Sequence, residues 1–316
     1  MATFLMLLKN VCIFMLLMVP GWILGKKGRI SEGAVSVFGD LLGNIAMPAL
    51  VFCKLIELDP SAVRVEYLII CLAMPFVVIP LGCLFVRLFC IKDPSIAASS
   101  KFCAVFSNCG FLGIPMAVAI FPSNPEVALY VSLFNLSSTY MLLTLGVSIL
   151  SRSSSKIDIK KLFLTPVTVC ILLGGLVHLF GVAEYVTTLT SYASYFAALT
   201  TPLSMIVLGY ELSKLSLSDI FACRLMYPTA AVKLIFSPLV ALAVLLLVDL
   251  IPSVHINGEL ASAMLLSAGI STAASAPALA QKNGADVPHT AVFTLGSTLL
   301  CMITMPLLWL LFEFLF

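Results

Sequence analysis

Apolar residues run in stretches of about twenty along this chain, with only short polar breaks between them. The stretches fall at residues 4–24, 34–56, 66–90, 98–121, 127–150, 162–181, 186–209, 221–249, 258–280 and 287–314. A bilayer's hydrocarbon core takes ~20 apolar residues per helix, so the pattern predicts ten spans. Composition leaves room for little else. Of 316 residues, 61% are hydrophobic and 10% charged, whereas soluble domains are about 25% charged. That excludes a soluble enzyme, a nucleic-acid binder and a disordered chain. Barrel strands would alternate apolar and polar residues, so the spans are expected to be helices.

The charges are few but sorted. The net charge is only +2, from 17 basic and 15 acidic residues. Thirteen of the seventeen basic residues fall in the odd-numbered loops: Lys26, Lys27, Arg29; Arg87, Lys92, Lys101; Arg152, Lys156, Lys160, Lys161; Lys214, Arg224; and Lys282. The even side has Lys9, Lys54 and Arg64, and Lys233 lies inside a span. The positive-inside rule puts the odd loops in the cytoplasm and both termini outside. The first span reads as a retained helix, because its positive charges follow the apolar run and no small-residue cleavage site is present. The longest polar loop is Ser151 to Lys161.

The two halves echo each other. Span 2 has Met47-Pro48-Ala49-Leu50 and ends at Glu57; span 7 has Thr201-Pro202-Leu203-Ser204 and ends at Glu211, with the same proline-to-glutamate spacing. Span 4 has Ser107-Asn108-Cys109-Gly110-Phe111-Leu112-Gly113-Ile114-Pro115. Span 9 has Ser267 through Ser271-Thr272-Ala273-Ala274-Ser275-Ala276-Pro277. Small and polar residues precede a mid-span proline in both. An odd number of spans per repeat turns the second copy upside down, so the expected fold is two inverted five-helix repeats, residues 1–150 and 162–316, joined by the short linker 151–161. Inverted repeats with broken helices point to a secondary transporter.

Span 4 carries the most chemistry. Proline removes a backbone donor and glycine eases unwinding. In lipid the freed groups must find protein, water or a ligand, so such a break lines a cavity. Asn108 offers both donor and acceptor, so a substrate contact and a structural hydrogen bond across helices are both open to it, within a segment that includes Cys109, Gly110, Gly113 and Pro115. Span 9 supplies the mate through Ser271, Thr272, Ser275 and Pro277. The helix that starts after each break presents free N–H groups and a positive dipole, which suits an anion. Lys233 sits near mid-membrane, and an intramembrane charge is a functional hypothesis by default. Three roles are open to it: direct anion binding, a structural tie to a carbonyl or carboxylate, or a proton site. Asn135 could line the site or tie helices together. Asp40 and Asn44, one turn apart in span 2, are either interfacial residues near a helix start or candidates for a cytoplasmic vestibule or a coupling role. The ten cysteines include no CxxC pair and read as small packing residues. No metal or cofactor site is expected. The absence of Walker A, HExxH and GxSxG motifs argues against an ATP-driven pump and an intramembrane enzyme.

Gly21-Trp22-Ile23-Leu24-Gly25-Lys26-Lys27-Gly28, Met47 to Phe52, Ser107 to Pro115, Pro202 to Leu212 and Lys233-Leu234 with Pro238 together resemble the auxin efflux carrier family, in order and over the whole chain. That family includes plant auxin carriers and bacterial malate and malonate permeases. The resemblance implies a fold like that of the sodium/bile-acid symporters, with spans 4 and 9 crossing at Pro115 and Pro277. It also implies a scaffold of spans 1, 2, 6 and 7, an elevator-like transport domain of spans 3–5 and 8–10, and Asn108 as the crossover asparagine. Plant carriers often have a long central loop, whereas the loop here is short, as in the microbial permeases.

The reading is a non-enzymatic carrier of small organic anions, mono- or dicarboxylates, in a plasma (inner) membrane. H+ or Na+ is the candidate coupling ion, the surrounding lipid is a partner, and a second copy of the chain is a candidate partner through span 2 or 7. A sodium-coupled symporter of the bile-acid type and a non-transporting anion sensor are the rival readings. The charge pattern makes a direct prediction. In a cysteine-free background, a Lys156→Cys thiol should resist a membrane-impermeant maleimide added to intact cells, and an Arg64→Cys thiol should react. The reverse pattern would overturn the orientation.

Overall fold

The computed structural model describes residues 2–59, 64–151 and 165–315. Among them every regular element is helical, apart from one isolated antiparallel bridge between Ser107 and Thr272. Most of the linker and the expected start of span 6 lie outside the described residues. Several helix starts are fixed by short polar side chains that accept otherwise unpaired N–H groups. Ser31 accepts from Ala34, Asp93 from Ser95 and Ile96, and Asn257 from Leu260.

Seven described helices are long and apolar enough to cross a membrane: Leu8–Lys26, Glu32–Ile56, Val65–Phe89, Pro125–Ser151, Glu184–Ser213, Met226–Asp249 and Val287–Phe312. The three remaining expected spans differ for identifiable reasons. Span 4 is two helical pieces, Pro94–Val105 and Cys109–Ile120, and span 9 is Gly258–Gly269 followed by Ala276–Lys282. Span 6 is described only as the 14-residue helix Pro166–Leu179.

Many of the long helices are not uniform. Five-residue π turns interrupt them at Leu42–Ala46, Cys109–Gly113, Leu142–Gly146 and Val232–Phe236. Three of these end two residues before a proline: Pro48, Pro115 and Pro238. Proline lacks the N–H that a regular turn would use, and its ring crowds the carbonyl four residues back. In the wider turn the residue before each proline donates five residues back, so Met47, Ile114 and Ser237 donate to Leu42, Cys109 and Val232.

Large apolar side chains such as Leu16, Ile69, Leu88, Leu247 and Leu307 face outward, as lipid contact requires, while Phe102, Phe106, Tyr130, Phe134 and Phe293 fill the interior. The helix Ala2–Lys26 packs along Thr200–Ser213, and Met47–Ile56 packs on Pro166–Leu179 and Thr187–Ala197. On the other side Val65–Val86 and Gly258–Gly269 both pack on Pro125–Met141, and Pro94–Val105 packs on Val287–Leu315.

The first of these contacts is backbone on backbone. A Cβ on Gly21 would lie 2.1 Å from the Ile206 carbonyl oxygen, one on Gly25 2.1 Å from Ser213 Oγ, and one on Gly209 1.9 Å from the Met18 carbonyl oxygen. Gly21 and Gly25 form the small-xxx-small stripe by which membrane helices approach closely without a hydrophobic driving force. Gly209→Leu or Gly21→Leu must therefore push the two helices apart. Either should destabilise the detergent-solubilised protein by about 1–3 kcal/mol or more. Gly175→Leu, whose Cβ meets nothing within 4 Å, should leave the melting temperature nearly unchanged.

Candidate substrate site at the crossed helix breaks

The two interrupted spans meet at their breaks. Phe106 and Ile270, the residues that end the first helical piece of each span, have extended backbone, at φ −88°, ψ 124° and φ −72°, ψ 162°. The strands so formed pair antiparallel. Asn108 N–H donates to the Ser271 carbonyl at 2.8 Å, and Ala273 N–H donates to the Phe106 carbonyl at 3.0 Å. Each break thereby satisfies backbone groups that the other frees, in a place where water is scarce. The crossing lies at Ser107–Asn108 and Ser271–Ala273, not at Pro115 and Pro277. Pro277 instead occupies the first turn of Ala276–Lys282, where a missing N–H costs nothing, and Pro115 lies within Cys109–Ile120, just after its π turn. The small polar residues make the break, and both prolines lie in the helix beyond it.

Side chains brace this crossing from behind. Thr272 Oγ1 donates to the Cys103 carbonyl at 2.6 Å, and Thr272 N–H donates to Ser297 Oγ at 3.1 Å. Cys109 Sγ donates to the Ser267 carbonyl at 3.4 Å. Lys233, fully buried, donates to Ser107 Oγ at 2.5 Å and to the Ala268 carbonyl at 2.7 Å. Of the three roles open to Lys233, this geometry is that of the structural tie. Its ammonium lies at the C-terminal end of Gly258–Gly269, the negative end of that helix dipole.

Beside the crossing lies a cavity of about 390 Å³. Its wall includes Ser107, Asn108 and Gly110 from span 4, Asn135 and Thr139 from span 5, and Ser275 from span 9. Gly43 and Met47 of span 2 also line it. None of the residues lining this cavity is charged. Asn108 is 3% exposed, and its Nδ2 has no hydrogen-bond partner among the described residues. A buried amide donor left unpaired is costly, about 1–3 kcal/mol, so the site is built for an acceptor. The Asn108 carbonyl receives the N–H groups of Leu112 and Gly113. The earlier N–H groups of the Cys109–Ile120 stretch have no upstream helical carbonyl and form a positive helix end at the cavity. Gly110 keeps this end close to span 2, since a Cβ there would stand 3.0 Å from Met47 Cε.

Of the residues singled out from sequence, Asn108, Gly110, Asn135 and Ser275 come together on the cavity wall. Cys109, Gly113, Pro115, Ser271, Thr272 and Lys233 are buried behind it in the packing of the crossing. Pro277 faces a second cavity, of about 300 Å³, which Glu211 and Lys214 also line. There burial works against the Lys214 ammonium, but the carboxylates of Glu211 at 3.1 Å and Glu32 at 3.2 Å outweigh it and hold its pKa above the ordinary value. Asp40 and Asn44 are exposed on the span 2 face beside Gly43, and Asn44 Nδ2 donates to the Asp40 carbonyl at 2.9 Å. Sequence reasoning missed Thr139, Gly43 and Met47, and gave Ser107 no role of its own. The signal was available for the first, since Thr139 follows Asn135 by one helical turn and shares its face. Among the described residues no cluster of His, Cys, Asp and Glu could hold a metal ion.

Comparison with known proteins points to membrane transport. The sequence profile of a family described as membrane transport protein matches residues 6–161 and 150–309. The chain belongs to this family, that of the auxin efflux carriers. It is also 27% identical, over 305 residues, to an uncharacterized transporter of Methanothermobacter thermautotrophicus, an alignment covering 95% of this chain and 96% of that one.

The bracing role of Thr272 is separable from the cavity. Thr272→Val leaves the Cys103 carbonyl unpaired in a buried place and should cost about 1–3 kcal/mol of stability. The measurement is the melting temperature of the purified protein, and an unchanged value would remove Thr272 from the account of the crossing.

Proposed function

We propose that the protein carries small organic anions, mono- or dicarboxylates such as malate or malonate, across a plasma (inner) membrane by alternating access. The observation that carries this reading is the unpartnered amide of Asn108 beside a helix N-terminus in a neutral polar cavity. A carboxylate is the ligand that such a set of donors lacks. It would accept from Asn108 Nδ2 and the free backbone N–H groups, and Asn135, Thr139 and Ser275 would orient the rest of the molecule. No charged side chain on the wall would neutralise it, so binding is weak enough for release, as a carrier needs.

In this reading the two helical pieces of span 4 and of span 9 each make one crossing, and with Pro166–Leu179 the spans number ten, in two inverted repeats. Spans 1, 2, 6 and 7 form the scaffold, and spans 3–5 and 8–10 move as an elevator. The cavity lies on that seam, with Gly43 and Met47 on the scaffold side and the crossing on the moving side. Its wall runs toward the ends that carry the basic loops, which corresponds to a state open to the cytoplasm with both termini outside. H+ or Na+ coupling, charge-driven uniport and a homodimer through span 2 or 7 are further parts of the proposal that transport assays would sort.

The test is counterflow in proteoliposomes loaded with unlabelled malonate, malate or indole-acetate, with and without sodium and a pH gradient. The expected result is saturable uptake of the labelled compound, with KM raised about tenfold or more in Asn108→Ala, the loss of one hydrogen bond to a charged group. Saturable binding without counterflow would favour an anion sensor instead.

A further inference from the structure

Ser107 stands between the buried cation and the cavity. Its residue is the bridging position of the crossing, paired across to Thr272, and it contributes to the cavity wall. Behind it, Lys233 Nζ lies 2.5 Å from its Oγ. An ammonium group has three donors and no acceptor, so the serine oxygen must be the acceptor of that bond. The hydroxyl proton is then left to point elsewhere. Cys109 Sγ neighbours the hydroxyl, but a thiol sulfur accepts weakly. The open side of Ser107 is the cavity.

We propose that Ser107 is a substrate-binding donor that gives the cavity its preference for anions, and that Lys233 is the positioning residue that polarises it. The proposal rests on the anion-transport reading above. Lys233 need not touch the ligand. By donating to Ser107 Oγ it fixes the hydroxyl's direction and strengthens the bond the hydroxyl can give in turn, since hydrogen bonds in a chain polarise one another. Its second bond, 2.7 Å to the Ala268 carbonyl, anchors the ammonium to the other half of the crossing. The charge is thus delivered to the cavity as an oriented O–H group, next to the amide of Asn108. Such a donor rewards a carboxylate more than a neutral carbonyl, because bonds to an ionised acceptor are about twice as strong. It also keeps the ammonium itself out of the ligand's reach, so the anion is not trapped in a buried ion pair.

The experiment uses the full chain in proteoliposomes. It measures KM and Vmax of whichever of malonate, malate or indole-acetate undergoes counterflow, and inhibition by the corresponding neutral amide. The expected result for Ser107→Ala is a KM for the anion about tenfold higher or more, with Vmax within about threefold and inhibition by the neutral amide little changed. Ser107→Thr, which keeps the hydroxyl, should stay near wild type. Lys233→Met should raise the same KM, and the double variant should be no worse than the poorer single one, because both changes remove one relay. Should Lys233→Met fail to fold, the alanine and threonine variants at Ser107 still decide. An unchanged KM in Ser107→Ala, alongside a raised KM in Asn108→Ala, would overturn this proposal and leave the anion carrier standing. An equal loss for anion and neutral amide would overturn it too, by making Ser107 merely structural. Wild-type protein that exchanges none of the three acids would overturn the carrier reading and this proposal with it.

Discussion

Two stretches of unwound backbone meet in the middle of this molecule, and the fold around them depends on that meeting. Neither could persist alone in a membrane, because each leaves N–H and C=O groups that lipid cannot satisfy. Together they form a short antiparallel pair, from Asn108 to Ser271 and from Ala273 to Phe106. Thr272 and Lys233 then take up carbonyls at the ends of the first halves, at Cys103 and Ala268. What remains unpaired beside the cavity, the buried Asn108 amide above all, is the chemistry that a ligand would meet. The site is what is left over once the crossing has satisfied itself.

The π turns extend the same logic along the neighbouring helices. Three of the four contribute to the cavity wall, through Gly43, through Gly110 and Phe111, and through Leu142 and Leu143. The fourth carries Lys233. A wider turn bulges the helix locally and redirects its side chains, a feature frequent at functional sites. Prolines just beyond three of these turns stabilise the bulge by removing the N–H that a regular turn would have used. Against these adaptable elements stands the contact of Ala2–Lys26 with Thr200–Ser213, where Gly21, Gly25 and Gly209 bring backbones together with no room to spare.

Much of this was legible in the sequence, for reasons that can be named. Continuous apolar stretches allow only helices in lipid, so the class and the membrane setting followed from hydropathy. The two segments of small and polar residues around Asn108 and Thr272 marked the breaks, because such residues tolerate unwinding where leucine or valine would resist it. The family followed from Ser107 to Pro115 together with the stretches at Gly21, Met47, Pro202 and Lys233. The prolines misled about position. A proline in an apolar run reads as a break, yet Pro115 lies inside Cys109–Ile120 and Pro277 in the first turn of Ala276–Lys282, and the interruption lies one to two turns before them.

The division among the polar residues was decided only by the tertiary structure. Sequence places Ser107, Asn108, Cys109, Ser271, Thr272 and Ser275 within two short segments and gives no ground for ranking them. Packing turns Asn108 and Ser275 to the cavity and Cys109, Ser271 and Thr272 to the interior. Lys233 could be recognised as an intramembrane cation, but not that a hydroxyl and a carbonyl from two different spans would enclose it. Nor could Gly43, Met47 and Thr139 be joined to the site, since their helices meet it only when folded. Hydropathy and backbone propensity are local and survive in a string of letters. Which side of a residue faces a ligand depends on contacts between residues more than a hundred positions apart, such as Ser107 with Lys233 and Asn108 with Ser271, and only the assembled helices determine those.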